Sequence, residues 1–186
     1  MRIQAKEGQM CLPGVLMSDT VIAAESYGLA LFSDDDKYRM RLVREWDLSR
    51  PSMLFFMLNP STADAMLYDP TVRRCLGFAN RWGYGSFEVR NLFSLRSTNP
   101  GRLKSEEHPV GPMKISYPGD RFDLIIAAWG NYGRIRDRGR HVEKFWKDNK
   151  IEVHHLGLTK SGYPRHPLYT RADVEPEKLD FDREIK

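Results

Sequence analysis

Cysteine is nearly absent from this chain, with only Cys11 and Cys75 among 186 residues. Two thiols cannot build a disulfide framework or a four-thiolate zinc site, so a reducing compartment is expected. Cys75 falls inside an apolar-periodic run and reads as a buried, inert thiol. Long apolar runs are missing as well. No stretch approaches the roughly 18 consecutive apolar residues of a membrane span, and the opening MRIQAKEGQMCLPG lacks the apolar core of a secretory signal. A cytoplasmic location and no membrane partner are therefore expected. No G-x-x-x-x-G-K-[ST] or G-x-G-x-x-G follows a strand, which argues against a P-loop or a dinucleotide fingerprint. A G-x-S-x-G nucleophile elbow is also lacking. His154 and His155 are adjacent, so on a strand they point to opposite faces, and no cysteine or carboxylate cluster stands beside them. Neither a metal nor a cofactor is expected.

What is present is a chain apolar enough to fold, at 41% hydrophobic residues, with a small formal charge of +4. That charge is unevenly spread. Residues 173–186 hold six acidic and three basic side chains, a balance of −3, which leaves +7 for residues 1–172. A basic body with an acidic tail points weakly to a polyanionic partner.

The length suits one domain, read as residues 1–172 followed by the acidic tail 173–186 with little to bury. Two extended segments, 28–32 and 37–46, flank the turn Ser33-Asp34-Asp35-Asp36 and predict an N-terminal hairpin over about 27–46. Tyr38, Met40 and Leu42 alternate there with Arg39, Arg41 and Val43, the pattern of a half-exposed strand. The continuous apolar run Met53–Leu58, stopped by Asn59-Pro60, predicts a central strand buried on both faces. Asp69-Pro70 opens a helix, with Val72, Leu76, Ala79 and Trp82 on one face and Gly83 closing it. Strands at 87–93, 122–129 and 151–156 and a basic helix at 138–149 follow. This alternation predicts an α/β fold, a three-layer sandwich around a central, largely parallel sheet.

In such a sheet ligands gather at the carboxyl ends of the strands, so the polar residues directly after each apolar run carry the most interest. They are Asn59 to Asp64, Asn91 with Arg96 beyond it, Trp129 to Gly133, and the loop Gly157 to Tyr169 containing His166. Two amides and an imidazole converging on one cleft edge suit a planar heterocycle.

Met57-Leu58-Asn59-Pro60-Ser61 resembles the first motif of the uracil-DNA glycosylase superfamily. Val89 to Arg96 is similar to the strand whose asparagine reads a flipped base, Leu124 to Gly130 is like the third core strand, and His166-Pro167 is like the start of the closing loop. The likeness covers residues 52–171. Asn59 to Asp64, Asp69-Pro70-Thr71, Arg73-Arg74-Cys75, Trp82 to Gly85 and Pro164 to Tyr169 resemble, more closely, a bacterial and phage family of unknown function, DUF1643. Leu168 stands where the glycosylases place a serine, which removes a phosphate contact from the closing loop.

The glycosylase likeness implies a nucleobase-directed enzyme that cleaves or modifies a base in DNA or a nucleotide. His166 would stabilise the leaving base, and Asn59 would position water through its carbonyl oxygen. Asp64 or Asp69 would take the proton, although Asp69 before Pro70 also suits a helix cap. Asn91 would read the base, with Tyr68 or Phe93 stacked on it. Arg96, Arg134, Arg136, Arg138, Arg165 and Arg171 would contact phosphates, with Leu168 and Tyr169 entering the base stack. The alternatives are a modified-base reader of the same fold that does not cleave, and a nucleotide enzyme that does not act on DNA.

Overall fold

The computed structural model describes residues 1–9, 25–61, 69–111 and 121–186. Asp64, Tyr68 and Cys11 lie outside them. Eight strands form one sheet: β1 (Arg2–Gln9), β2 (Glu25–Phe32), β3 (Arg39–Glu45), β4 (Ser52–Met57), β5 (Ser86–Asn91), β6 (Leu124–Ala127), β7 (His154–His155) and β8 (Glu177–Lys178). Their spatial order is β1-β2-β3-β5-β4-β6-β7-β8. The helices are α1 (Pro70–Arg81), α2 (Arg102–Ser105) and α3 (Arg138–Asp148), and a 3₁₀ segment, Gly130–Asp137, leads into α3.

The sheet is mixed, which corrects the expectation of a largely parallel one. Pairings β5-β4, β4-β6 and β6-β7 are parallel, whereas β1-β2, β2-β3, β3-β5 and β7-β8 are antiparallel. The N-terminal hairpin joins the edge of the parallel block instead of standing beside it, because β3 pairs with β5 from Leu42↔Val89 to Glu45↔Ser86. The parallel character belongs only to the strands linked by crossovers.

The run Met53–Leu58 is buried because β4 is central and covered on both faces. Met53, Phe55 and Met57 face α1 through Val72, Cys75, Leu76, Phe78 and Ala79. Leu54, Phe56 and Leu58 face the other layer, built from Leu103 of α2, Ile135, and Val142 and Trp146 of α3. Asp69 caps α1, accepting from the Val72 amide at 2.7 Å. After the last turn Gly83, at φ 79°, turns the chain out of the helix, a conformation a side chain would resist.

Two corrections to the sequence pattern follow from packing. The tail was expected to have little to bury, yet β8 pairs with β7 and Leu179 is 3% exposed. Arg183 forms a buried ion pair with Glu143 of α3 at 2.6 Å. The second concerns the alternation in β3. Register runs Ala30↔Leu42, Leu31↔Arg41 and then Phe32↔Arg39, so Met40 is the extra residue of a β-bulge. Arg39 thereby takes the face that Phe32 shares with α1, and it is buried instead of solvated.

The chain leaves β4 through α1 to reach β5 on one side, then returns past α2 on the opposite face to β6 on the other side of β4. The loops after β4 and β6 therefore part from each other at their carboxyl ends. An open crevice is the necessary result.

Candidate functional site

That crevice is a cleft of about 710 Å³, built from the end of β4 (Met57, Leu58, Asn59, Ser61), the start of α1 (Asp69 to Val72) and the end of β6 (Trp129 to Tyr132). Ser97, Thr98 and Pro100, the loop residues Thr159, Arg165, His166, Leu168 and Tyr169, and Arg39 complete it.

Asn59 is held by its amide nitrogen. Nδ2 donates to the carbonyls of Ser97 at 2.7 Å, Pro60 at 3.0 Å and Leu95 at 3.4 Å. With both protons committed to backbone, the side chain presents Oδ1 as its acceptor. Ser61 is committed in the same sense, since its hydroxyl donates to Asp69 Oδ2. Asp69 is thus the helix cap through Oδ1 and the partner of Ser61 through Oδ2.

His166 arrives on the long loop after β7. Gly130 donates to the Pro164 carbonyl at 2.7 Å, and Arg165 to the Gly157 carbonyl at 2.9 Å. Gly130 has φ 67°, and a Cβ there would stand 3.9 Å from His166 Cβ, so the β6 end and the loop meet closely. From α1, Arg74 donates to the carbonyls of Pro167 at 3.4 Å and Thr170, and Arg81 to that of Ala172 at 2.6 Å. The tail braces the loop from behind through Arg183 Nε on the Gly162 carbonyl at 2.8 Å.

Burial pushes the His166 imidazole down to about 4, with the Asp69 charge opposing the shift. The ring is therefore neutral at pH 7. Its Nδ1 accepts from the Leu168 amide at 3.4 Å, which leaves the proton on Nε2. The cleft thus sets a neutral donor in a space shared with two acceptors, Asn59 Oδ1 and Ser61 Oγ. Its walls are apolar and aromatic at Met57, Trp129, Tyr132, Leu168 and Tyr169, and the last of these is 79% exposed at the rim.

Of the residues singled out in the sequence, Asn59, Asp69, Arg165, His166, Leu168 and Tyr169 meet in this cleft. Others do not. Asn91 ends β5 in register with Met57 but is not a lining residue. It is 5% exposed, and its Oδ1 is buried without a hydrogen bond among the described residues. Phe93 is wholly buried in the core under the α3 layer. Arg96 lies over the Phe32 ring at 4.9 Å and donates to the Asp36 carbonyl. Arg136 donates to the carbonyls of Lys104, Glu106 and Glu107, and Arg138 to that of Leu92. Arg171 pairs with Asp173 at 2.7 Å, and Arg134 is exposed and does not line the cleft.

Arg39, Ser97 and Thr98 were not anticipated. No local signal marks Arg39, because its place depends on a bulge set by the partner strand. Ser97 was legible only as part of a loop. Among the described residues no group of three His, Cys, Asp or Glu could hold a metal ion, and no helix is long and apolar enough to cross a membrane.

The model of a family described as proteins of unknown function (DUF1643) matches residues 39–168, which carry the cleft from Arg39 to Leu168. No curated protein and no solved structure matches the chain.

Proposed function

The chain belongs to the DUF1643 family, and we propose that it is a nucleobase-directed hydrolase that cleaves the N-glycosidic bond of a nucleotide or of a base in DNA. The observation that carries this reading is the neutral His166, a donor through Nε2, in one cleft with Asn59, an acceptor through Oδ1. Breaking a glycosidic bond by a dissociative route leaves an anionic base and a cationic sugar. The base oxygen then needs a donor that does not surrender its proton, and a neutral imidazole meets that need. Attacking water needs an acceptor near the sugar, which Asn59 supplies. The aromatic walls suit a planar base. This division of roles follows the likeness of Asn59-Pro60 and His166-Pro167 to the glycosylase superfamily, and the sheet, although mixed overall, is parallel in β4, β6 and β7, the strands that lead to Asn59, Trp129 and the His166 loop.

A second observation bears on the substrate. Arg96, Arg136, Arg138 and Arg171 each have a partner within the chain, and none of them lines the cleft. Arg39 lines the cleft itself, as does Arg165, whose Nε donates to the Leu158 carbonyl at 2.8 Å. That distribution favours a mononucleotide or a single strand over duplex DNA.

The test is incubation with deoxynucleoside monophosphates and with single- and double-stranded oligonucleotides bearing uracil or 5-hydroxymethyluracil. Free base and, from DNA, alkali-labile sites are expected from the wild type. Asn59→Ala and His166→Ala should each lower the rate at least about 100-fold. Binding without base release from any substrate would instead support a reader of the same fold.

A further inference from the structure

Within that hydrolytic reading, we propose that Ser61 and Asp69 form the proton relay that activates the attacking water, with Ser61 touching the water and Asp69 acting through it. The Asn59 amide cannot accept a proton at neutral pH, so a carboxylate such as Asp69 must take it, and the likeness supplies no link from that carboxylate to the water. Asp69 by itself is a helix cap. What joins them is the Ser61 hydroxyl, which lies two residues after Asn59, lines the same cleft and donates its only proton to Asp69 Oδ2.

The hydrogen-bond inventory fixes the direction of the relay. A serine whose proton is given to a carboxylate has only its lone pairs left, so Ser61 Oγ is an acceptor toward the cleft. Asn59, with Nδ2 tied to three carbonyls, is an acceptor as well. A water donating to both keeps a lone pair for the sugar. Asp69 is fixed for the task, since Oδ1 is held by the Val72 amide at 2.7 Å while Oδ2 takes the serine proton. Its charge reaches His166, where it opposes the effect of burial.

The step balances without any further reactant. As the water oxygen bonds to the anomeric carbon, the glycosidic C–N bond breaks and its electron pair leaves with the base, held by His166 Nε2–H. The water proton passes to Ser61 Oγ while the serine proton passes to Asp69 Oδ2. Solvent then returns that proton to the departed base, and the carboxylate is restored.

Asp69→Asn separates the two roles of the residue, because asparagine caps a helix about as well as aspartate but cannot accept the proton. With deoxyuridine 5′-monophosphate and a single-stranded uracil oligonucleotide as probes, Asp69→Asn and Ser61→Ala should each lower kcat about 100-fold, with KM changed less than about threefold. The double variant should be no slower than either single one. Ser61→Thr, which keeps the hydroxyl, should restore most of the rate. If the wild type releases base and both variants keep its rate, the relay is wrong and the hydrolytic reading survives. If the wild type releases no base from any substrate, the hydrolytic reading fails, and the relay falls with it.

Discussion

His166 and Asn59 show how a side chain's function is set by which of its atoms are already occupied. His166 is neutral because burial lowers its pKa from 6.5 to about 4. Between those values the unfolded chain binds the proton and the folded one does not, so stability falls as pH drops from about 6.5 toward 4. An NMR titration of the ring should give a midpoint near 4 and an Nε2–H tautomer at pH 7. His166→Gln should reduce the slope of the stability profile across that window in urea melts, the remainder belonging to other groups such as His154 and His155, which burial also lowers, and a His166 ring titrating near 6.5 would refute the assignment. Asn59 invites a different mistake, since an aspartate there looks like a gain of a general base. Its Nδ2 serves three backbone carbonyls, so Asn59→Asp would set a carboxylate against them. That substitution should lower stability by at least about 2 kcal/mol and should not raise the rate. Chemical denaturation together with the base-release assay checks both. Asn59 and His166 were legible in the sequence because each directly follows an apolar run or a Pro-rich turn. The committed state of their nitrogens was not, because the partner carbonyls of Asn59 lie up to 38 residues away.

At the scale of elements, placement depends on small irregularities. The bulge in β3 moves Arg39 from the solvent pattern of its strand to the face of α1 and into the cleft. Alternation read from β3 alone cannot reveal this, since a one-residue slip inverts every side chain beyond it. The 3₁₀ segment after β6 carries a comparable constraint. A Cβ on Gly133 would stand 2.1 Å from Trp129 Cδ1. The indole cannot retreat, being 1% exposed and packed on Phe56 and Trp146 at 6.4 and 5.8 Å between ring centres. Gly133→Ala should therefore destabilise the protein by about 1–3 kcal/mol and displace the Trp129 wall. Thermal melting and the Trp fluorescence spectrum would report it. An unchanged melting temperature would show that the segment gives way instead. Helix α1 was readable to the residue at its start and to within one residue at its end, where Trp82 is the cap and Gly83 follows it, because Asp69, Pro70 and Gly83 are local signals with local mechanisms.

Over the whole molecule, the acidic tail is part of the site's support. Arg183 neutralises the buried Glu143 and also holds the His166 loop at the Gly162 carbonyl. Burial raises the Glu143 carboxyl above its usual 4.5, and Arg183 opposes that rise. Arg183→Met should let it climb further. A folded pKa above the unfolded one contributes stability at low pH that is lost as pH rises, so the variant's deficit should be small near pH 4.5 and large at pH 7.5. Urea melts at the two pH values test this, and an equal deficit at both would contradict it. Removing residues 177–186 also uncovers the Leu179 site, and should cost several kcal/mol, a large share of a domain's stability. By itself the sequence determined the local things: the buried strand β4, the capped α1, the class of the fold, and the polar residues that end its strands. Each follows from the periodicity or chemistry of a few adjacent residues. Only the tertiary structure decided that the sheet is mixed, that Arg39 enters the cleft while Asn91 and most of the arginines do not, and that the tail is bound. Those outcomes depend on pairings between residues tens of positions apart, where register, burial and available partners are settled by the assembled core.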